Sequence, residues 1–262
     1  MIVKALVEDT CENSAFRTEH GLSLYIEANG RKILFDTGQS SAFIQNAQML
    51  GVDLTQVDFA VLSHAHYDHS GGIEAFVSLN DHAPVYVSQY AFDDVRHGDR
   101  TIGMDPALKT HPRIVFVTEN TRLAGGISVY PAQGRNPLEP IRSRGLSAIR
   151  NGALIPDDFR HEQYLEIVEN GKRTLVSGCS HKGIVNIVQW FAPDVLIGGF
   201  HLYDLDPQGE GRQELDAIAL TLQNAGTLYY TCHCTGVKQY AYLKRTLGDR
   251  LFYISSGQEI TV

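Results

Sequence analysis

Residues 62–72 read LSHAHYDHSGG, and this stretch decides how the rest of the chain is read. His64, His66, Asp68 and His69 follow the pattern H-x-H-x-D-H, behind the apolar run DFAVLS and ahead of Gly71-Gly72. On an extended segment side chains alternate with a period of two, so His64 and His66 face the same side. Asp68 and His69 come as the chain turns and address a neighbouring position. Two histidines for one ion and an Asp-His pair for a second is a natural partition. Imidazole with carboxylate suits zinc, with manganese or iron as alternatives.

Working outward, six apolar strands end in polar or ligand-type residues: LFDTG, VLSHAH, LVSGCSH, LIGGFH, YYTCHC and YISSG. Strand ends of this composition, drawn from distant parts of the chain, are expected to converge on one edge of a sheet layer, where ligand sites of α/β proteins often lie. LSLYIEA and KILF bracket Asn29-Gly30, a hairpin signal. PVYVS, RIVFV and GISVYP add further strands, and apolar spacing predicts helices at about 41–50, 72–80, 89–96, 183–191, 212–225 and 236–247. No Pro/Gly/Ser-rich linker divides the chain, so residues 1–262 are read as a single domain with a loop-rich insertion at about 132–162.

Composition narrows the function classes. The net charge of −8 argues against a nucleic-acid partner, which needs clustered positive charge. No apolar run is long enough for a membrane span, so no membrane partner is expected. The N-terminus MIVKALVEDT reads as a first strand rather than an export signal, and with four cysteines this predicts a reducing, cytoplasmic setting.

These motifs resemble the metallo-β-lactamase-fold hydrolase superfamily, whose signature is the H-x-H-x-D-H turn. The stretches EHGLSLYIE, GCSHKGIVNIV, GGFHL and CHCTG are similar to one branch, whose members are named dihydropterin ribofuranosyl-aminobenzene 5′-phosphate synthases. The resemblance implies a four-layer αβ/βα sandwich with one or two metal ions, zinc first, at one edge of the sheets. It implies that Asp36 supports the metal-binding loop from behind and that His233 supplies the last histidine. Where most relatives have a bridging acid, this chain has Cys179, with His181 two residues on. His181 is the favoured ligand there, and Cys179, which as a thiolate can bind zinc, is the alternative.

Four residues are weaker substrate-side candidates: His201 after the Gly198-Gly199 pair, His20 in EHGLS, Lys182 at a helix start, and His161 beside Glu162. Cys232 and Cys234 flank His233 on a strand and are expected to point away from it, into the core or against the following helix. Arg135, Arg142, Arg144 and Arg150 suit a small anionic substrate. The expected activity is a metallo-hydrolase that uses a metal-bound hydroxide on a phosphate-containing ester or phosphodiester, with Asp68 as ligand or general base. A transferase of the synthase type and an iron-binding redox or sensing protein are the rivals, and homo-oligomerisation is left open.

Overall fold

The computed structural model describes residues 1–262. Two seven-stranded mixed sheets lie face to face. The first runs in the order Glu259–Thr261, Ile2–Val7, Ser23–Ala28, Arg31–Phe35, Phe59–Val61, Val85–Ser88, Ile114–Val117. The second runs Leu251–Tyr253, Leu228–Thr231, Val195–Gly198, Lys172–Ser177, Gln163–Glu169, Ile127–Pro131, Thr121–Ala124. Each sheet is antiparallel at one end and parallel at the other.

Strand alternation sorts the apolar residues into layers. Ile33 and Phe35 face the second sheet, whereas Leu34 between them faces the outer helices. Val195 and Ile197 likewise enter the inter-sheet core, and Leu196 packs outward. Helices Ala42–Met49 and Ile73–Leu79 cover the first sheet; Ile184–Phe191, Arg212–Asn224 and Val237–Leu247 cover the second. The result is the four-layer αβ/βα sandwich that the motifs implied.

The hairpin at Asn29-Gly30 forms, with Ala28 opposite Arg31 and both turn residues at positive φ (50° and 71°), the conformation a two-residue type I′ turn requires. One expectation fails: residues 89–96 are a turn followed by the strand Asp94–His97, not a helix. The loop-rich stretch 132–162 also contains the hairpin Leu146–Arg150/Ala153–Pro156, which joins Asp94–His97 and Arg100–Thr101 in a small third sheet. In both places strands lie at the periphery, exposed on much of their surface, so their sequences lack an apolar face strong enough to announce them. The strand Gln163–Glu169 was hidden behind that polar stretch, although it is central to the second sheet.

Parallel strands in register bring their C-terminal ends level: Phe35 with Val61, and Ser177, Gly198, Thr231 and Tyr253 across the second sheet. The loops after them therefore emerge along one edge.

Candidate metal centre

Four of these loops contain a non-glycine residue in the left-handed region: Asp36 (φ 58°), Ser180 (60°), His201 (50°) and His233 (49°). Each such residue costs on the order of 1 kcal/mol or more and persists where its surroundings over-determine it. Here the reversal turns the end of each strand inward toward one place.

Asp36 lies at the bottom of that place, fully buried. It accepts hydrogen bonds from the Ser63 backbone N–H (2.6 Å), the Ser63 hydroxyl (2.6 Å) and His69 Nδ1 (2.7 Å). A carboxylate can only accept, so the His69 proton sits on Nδ1 and its Nε2 presents a lone pair. Ser63 Oγ, having donated to Asp36, accepts from His64 Nδ1 at 2.8 Å, which leaves His64 Nε2 bare as well. Gly178 packs so tightly here that a Cβ on it would sit 2.1 Å from Ser63 Oγ. His233 is fixed in the same manner, its Nδ1 bonded to Asp9 and its backbone N–H to Glu8 (3.0 Å).

The bare nitrogens converge in two adjoining groups. In one, His69 Nε2 and His233 Nε2 are 3.3 Å apart, Asp68 Oδ2 lies 3.5 and 3.4 Å from them, and Cys179 Sγ is 3.1 Å from His69. In the other, His64 Nε2 and His181 Nε2 are 3.3 Å apart, with Cys179 again in reach. The His66 ring lies 4.6 Å from His64 and 4.7 Å from His181 between centroids, and its buried Nε2 has no hydrogen-bond partner. Zinc–nitrogen bonds of about 2.0–2.1 Å in a tetrahedron give ligand–ligand edges of about 3.3–3.4 Å. The donor set and its spacings fit such ions, and His64, His69 and His233 are oriented from behind by a hydroxyl or carboxylate, as metal-ligating histidines are.

The electrostatics agree. Burial, followed by the neighbouring histidines, holds His64 and His181 well below the usual imidazole range and His66 at about 3. Neutral imidazole is the form that ligates. His233 is the exception: burial alone would lower it, but Cys234, Asp68 and Asp9 outweigh this and raise it. Burial raises Asp68, yet the histidines around it prevail and keep it ionised.

Several sequence candidates take other places. His161 is fully buried and uses both ring nitrogens, Nδ1 accepting from the Ala65 N–H (3.3 Å) and Nε2 meeting Asp157 (3.1 Å), so neither is left for a substrate. The backbone N–H groups of His181 and Lys182 donate to the buried carboxylate of Glu162 at 2.8 Å each. His20 bridges Asp9 (3.0 Å) and Asp68 (3.5 Å) at the rim of the His69/His233 group. His201 stands 4.2 Å from His181 between ring centroids, with a buried unpartnered Nδ1. Cys232 enters the inter-sheet core as expected, but Cys234 does not, because the left-handed turn at His233 breaks strand alternation and swings its sulfur toward Cys179 and His201.

A cleft of about 480 Å³ opens beside His181 and His201, walled by Ile184, Ile218, Arg142 and Arg144. Both arginines pair with Glu214 across it, and Arg144 also with Asp204 (2.5 Å). The other two leave the site: Arg150 binds Asp158 (2.5 Å), and Arg135 stacks on Phe191 (4.2 Å).

Residues that the sequence did not single out are mostly supporting groups: Ser63, Glu8, Asp9, Asp157, and Phe159, which stacks on His181 at 4.4 Å. Glu8 and Asp9 carried the only available signal, adjacent acids at the end of a first apolar strand.

The metallo-beta-lactamase superfamily model matches residues 17–197. The chain belongs to that superfamily. It is 30% identical over 255 residues to an uncharacterized protein of Methanocaldococcus jannaschii, covering 93% of this chain and 94% of the relative. It is also 30% identical over 253 residues to the 7,8-dihydropterin-6-methyl-4-(beta-D-ribofuranosyl)-aminobenzene-5′-phosphate synthase of the same organism, covering 86% and 84%. Among solved structures, a metal-dependent hydrolase of the beta-lactamase superfamily superposes with a TM-score of 0.83 at 28% identity, over 100% of this chain and 99% of the other. Superfamily membership and the synthase relative support an enzyme. No helix of this superfamily member is long and apolar enough to cross a membrane.

Proposed function

We propose that the protein is a metal-dependent hydrolase acting on a small anionic, phosphate-containing ester or phosphodiester. The observation that carries this is the convergence of ligand atoms: His69 Nε2, His233 Nε2 and Asp68 Oδ2 within 3.5 Å of one another, beside His64 and His181 Nε2 at 3.3 Å. A divalent cation at such a place would be held by imidazole and carboxylate together. In this reading His64, His66 and His181 hold one ion, Asp68, His69 and His233 a second, and Cys179 takes the place of the shared acid. Zinc best matches this mixture of imidazole, carboxylate and sulfur. Bound divalent ions would polarise a phosphoryl group and supply a nucleophile from water at neutral pH.

The chain's own residues divide the remaining work. Asp36, Ser63 and Asp9 keep the ring protons on Nδ1 and so direct Nε2 inward. Asp68, wedged among three histidines, serves as a ligand rather than a free base. The cleft beside His181 and His201 receives the body of the substrate, and Arg142 and Arg144 face its anionic end.

The test is elemental analysis of purified wild type with His64→Ala, His69→Ala and His181→Ala, alongside turnover of bis-p-nitrophenyl phosphate. Zinc or manganese with turnover is expected, with part of the metal lost in each variant. Full metal content in His181→Ala refutes its assignment, and iron with a visible absorption band moves the reading to redox chemistry. A second reading, group transfer to a pterin precursor, is favoured by the 30% identity to the synthase over most of both chains. It takes precedence if metal-loaded protein hydrolyses no phosphoester yet joins such a pair of substrates.

A further inference from the structure

Cys179 also belongs to a third constellation, whose other two members the proposed hydrolytic centre does not use as ligands. Its sulfur, the Cys234 sulfur and a ring nitrogen of His201 all lie within 4.8 Å of one another. All the cysteines are free thiols, and Cys179 and Cys234 are buried. Three features build this place. The left-handed residue His233 turns Cys234 off the strand's own alternation. Gly199 leaves the space the sulfur occupies, since a Cβ there would meet Cys234 Sγ at 2.4 Å. His201, itself at φ 50°, brings up an imidazole whose buried Nδ1 has no hydrogen-bond partner.

We propose that Cys179, Cys234 and His201 form a separate, sulfur-rich cation site that takes a soft divalent ion such as zinc or cadmium. Two sulfurs and one imidazole leave a fourth tetrahedral position open, the ligand count of an accessible rather than a closed structural zinc site. Thiolate ligation selects soft ions over magnesium or calcium. Each thiol gives its proton to solvent as the ion enters, so binding weakens with acid. His201 lines the cleft and provides the way in. Because Cys179 is shared, an ion here draws its sulfur from the two histidine groups, and occupancy of this place opposes occupancy of the bridge.

Cadmium is the probe. Metal-depleted protein is kept reduced with a phosphine, in a Cys11→Ser background that removes the only cysteine not fully buried. The ultraviolet charge-transfer band of cadmium thiolate counts the sulfurs bound. Two are expected, falling to one in Cys234→Ser and staying at two in Cys232→Ala. Cadmium NMR of the protein without the Cys234 substitution gives a readout independent of how that variant folds, because the resonance moves downfield with each sulfur. A two-sulfur resonance is expected. An unchanged band in Cys234→Ser, or resonances with one sulfur at most, overturns the proposal. The one-sulfur result with cadmium still bound leaves the proposed hydrolytic centre standing, whereas no cadmium uptake at all fails both.

Discussion

Glu162 offers the sharpest test of how the second sheet holds the site. Its side chain is fully buried, and its two oxygens accept from the His181 N–H (2.8 Å), the Lys182 N–H (2.8 Å) and the Tyr164 hydroxyl (3.0 Å). Glu162→Ala strands three buried donors, at about 1–3 kcal/mol each. Against this stands the relief of no longer burying a carboxylate, whose pKa burial has raised. A net loss of about 3 kcal/mol follows. Glu162→Gln keeps the shape and one accepting oxygen but turns an amide toward a donor, so about half that loss is expected. Urea unfolding of metal-depleted protein reads both values as midpoint shifts at constant slope. Metal content supplies a second readout, since freeing the turn at His181 releases one ligand of the His64/His66/His181 group before those of the His69/His233 group. The reasoning is refuted if alanine costs under about 0.5 kcal/mol, or if glutamine is as damaging as alanine.

Three further expectations can be checked together. Ser63→Ala removes the hydroxyl linking Asp36 to His64, and titration with zinc should show affinity lowered about 10–100-fold with the fold intact. Asp157 is pushed up by burial but pulled further down by His161, to about 2. A depressed carboxyl stabilises the fold above its ordinary value and loses that contribution as pH falls from about 4 to about 2, here about 2 kcal/mol. Asp157→Asn should therefore be less stable than wild type at pH 5 and should lose that difference by pH 2, as read by urea unfolding at the two pH values. Arg144→Met should raise KM for an anionic phosphoester several-fold with kcat little changed, measured by steady-state kinetics, because Arg144 faces the cleft and not the histidines.

The sequence by itself determined the sandwich and the ligand types. Short apolar runs announced nearly all the buried strands, because a strand packed on both faces has little freedom of composition. The H-x-H-x-D-H turn was legible because its ligands are close in sequence, where local geometry alone brings them together. Only the tertiary structure decided which distant residues complete the site. Asp9, Glu162 and Cys234 reach it from loops beside separate strands, and their contacts span 224, 19 and 55 residues of chain. Nor did spacing reveal the left-handed turns at Ser180, His201 and His233, since a single φ reversal leaves no periodic trace. Those reversals redirect side chains that strand alternation would have sent elsewhere. They place Cys179 where three groups of ligands meet.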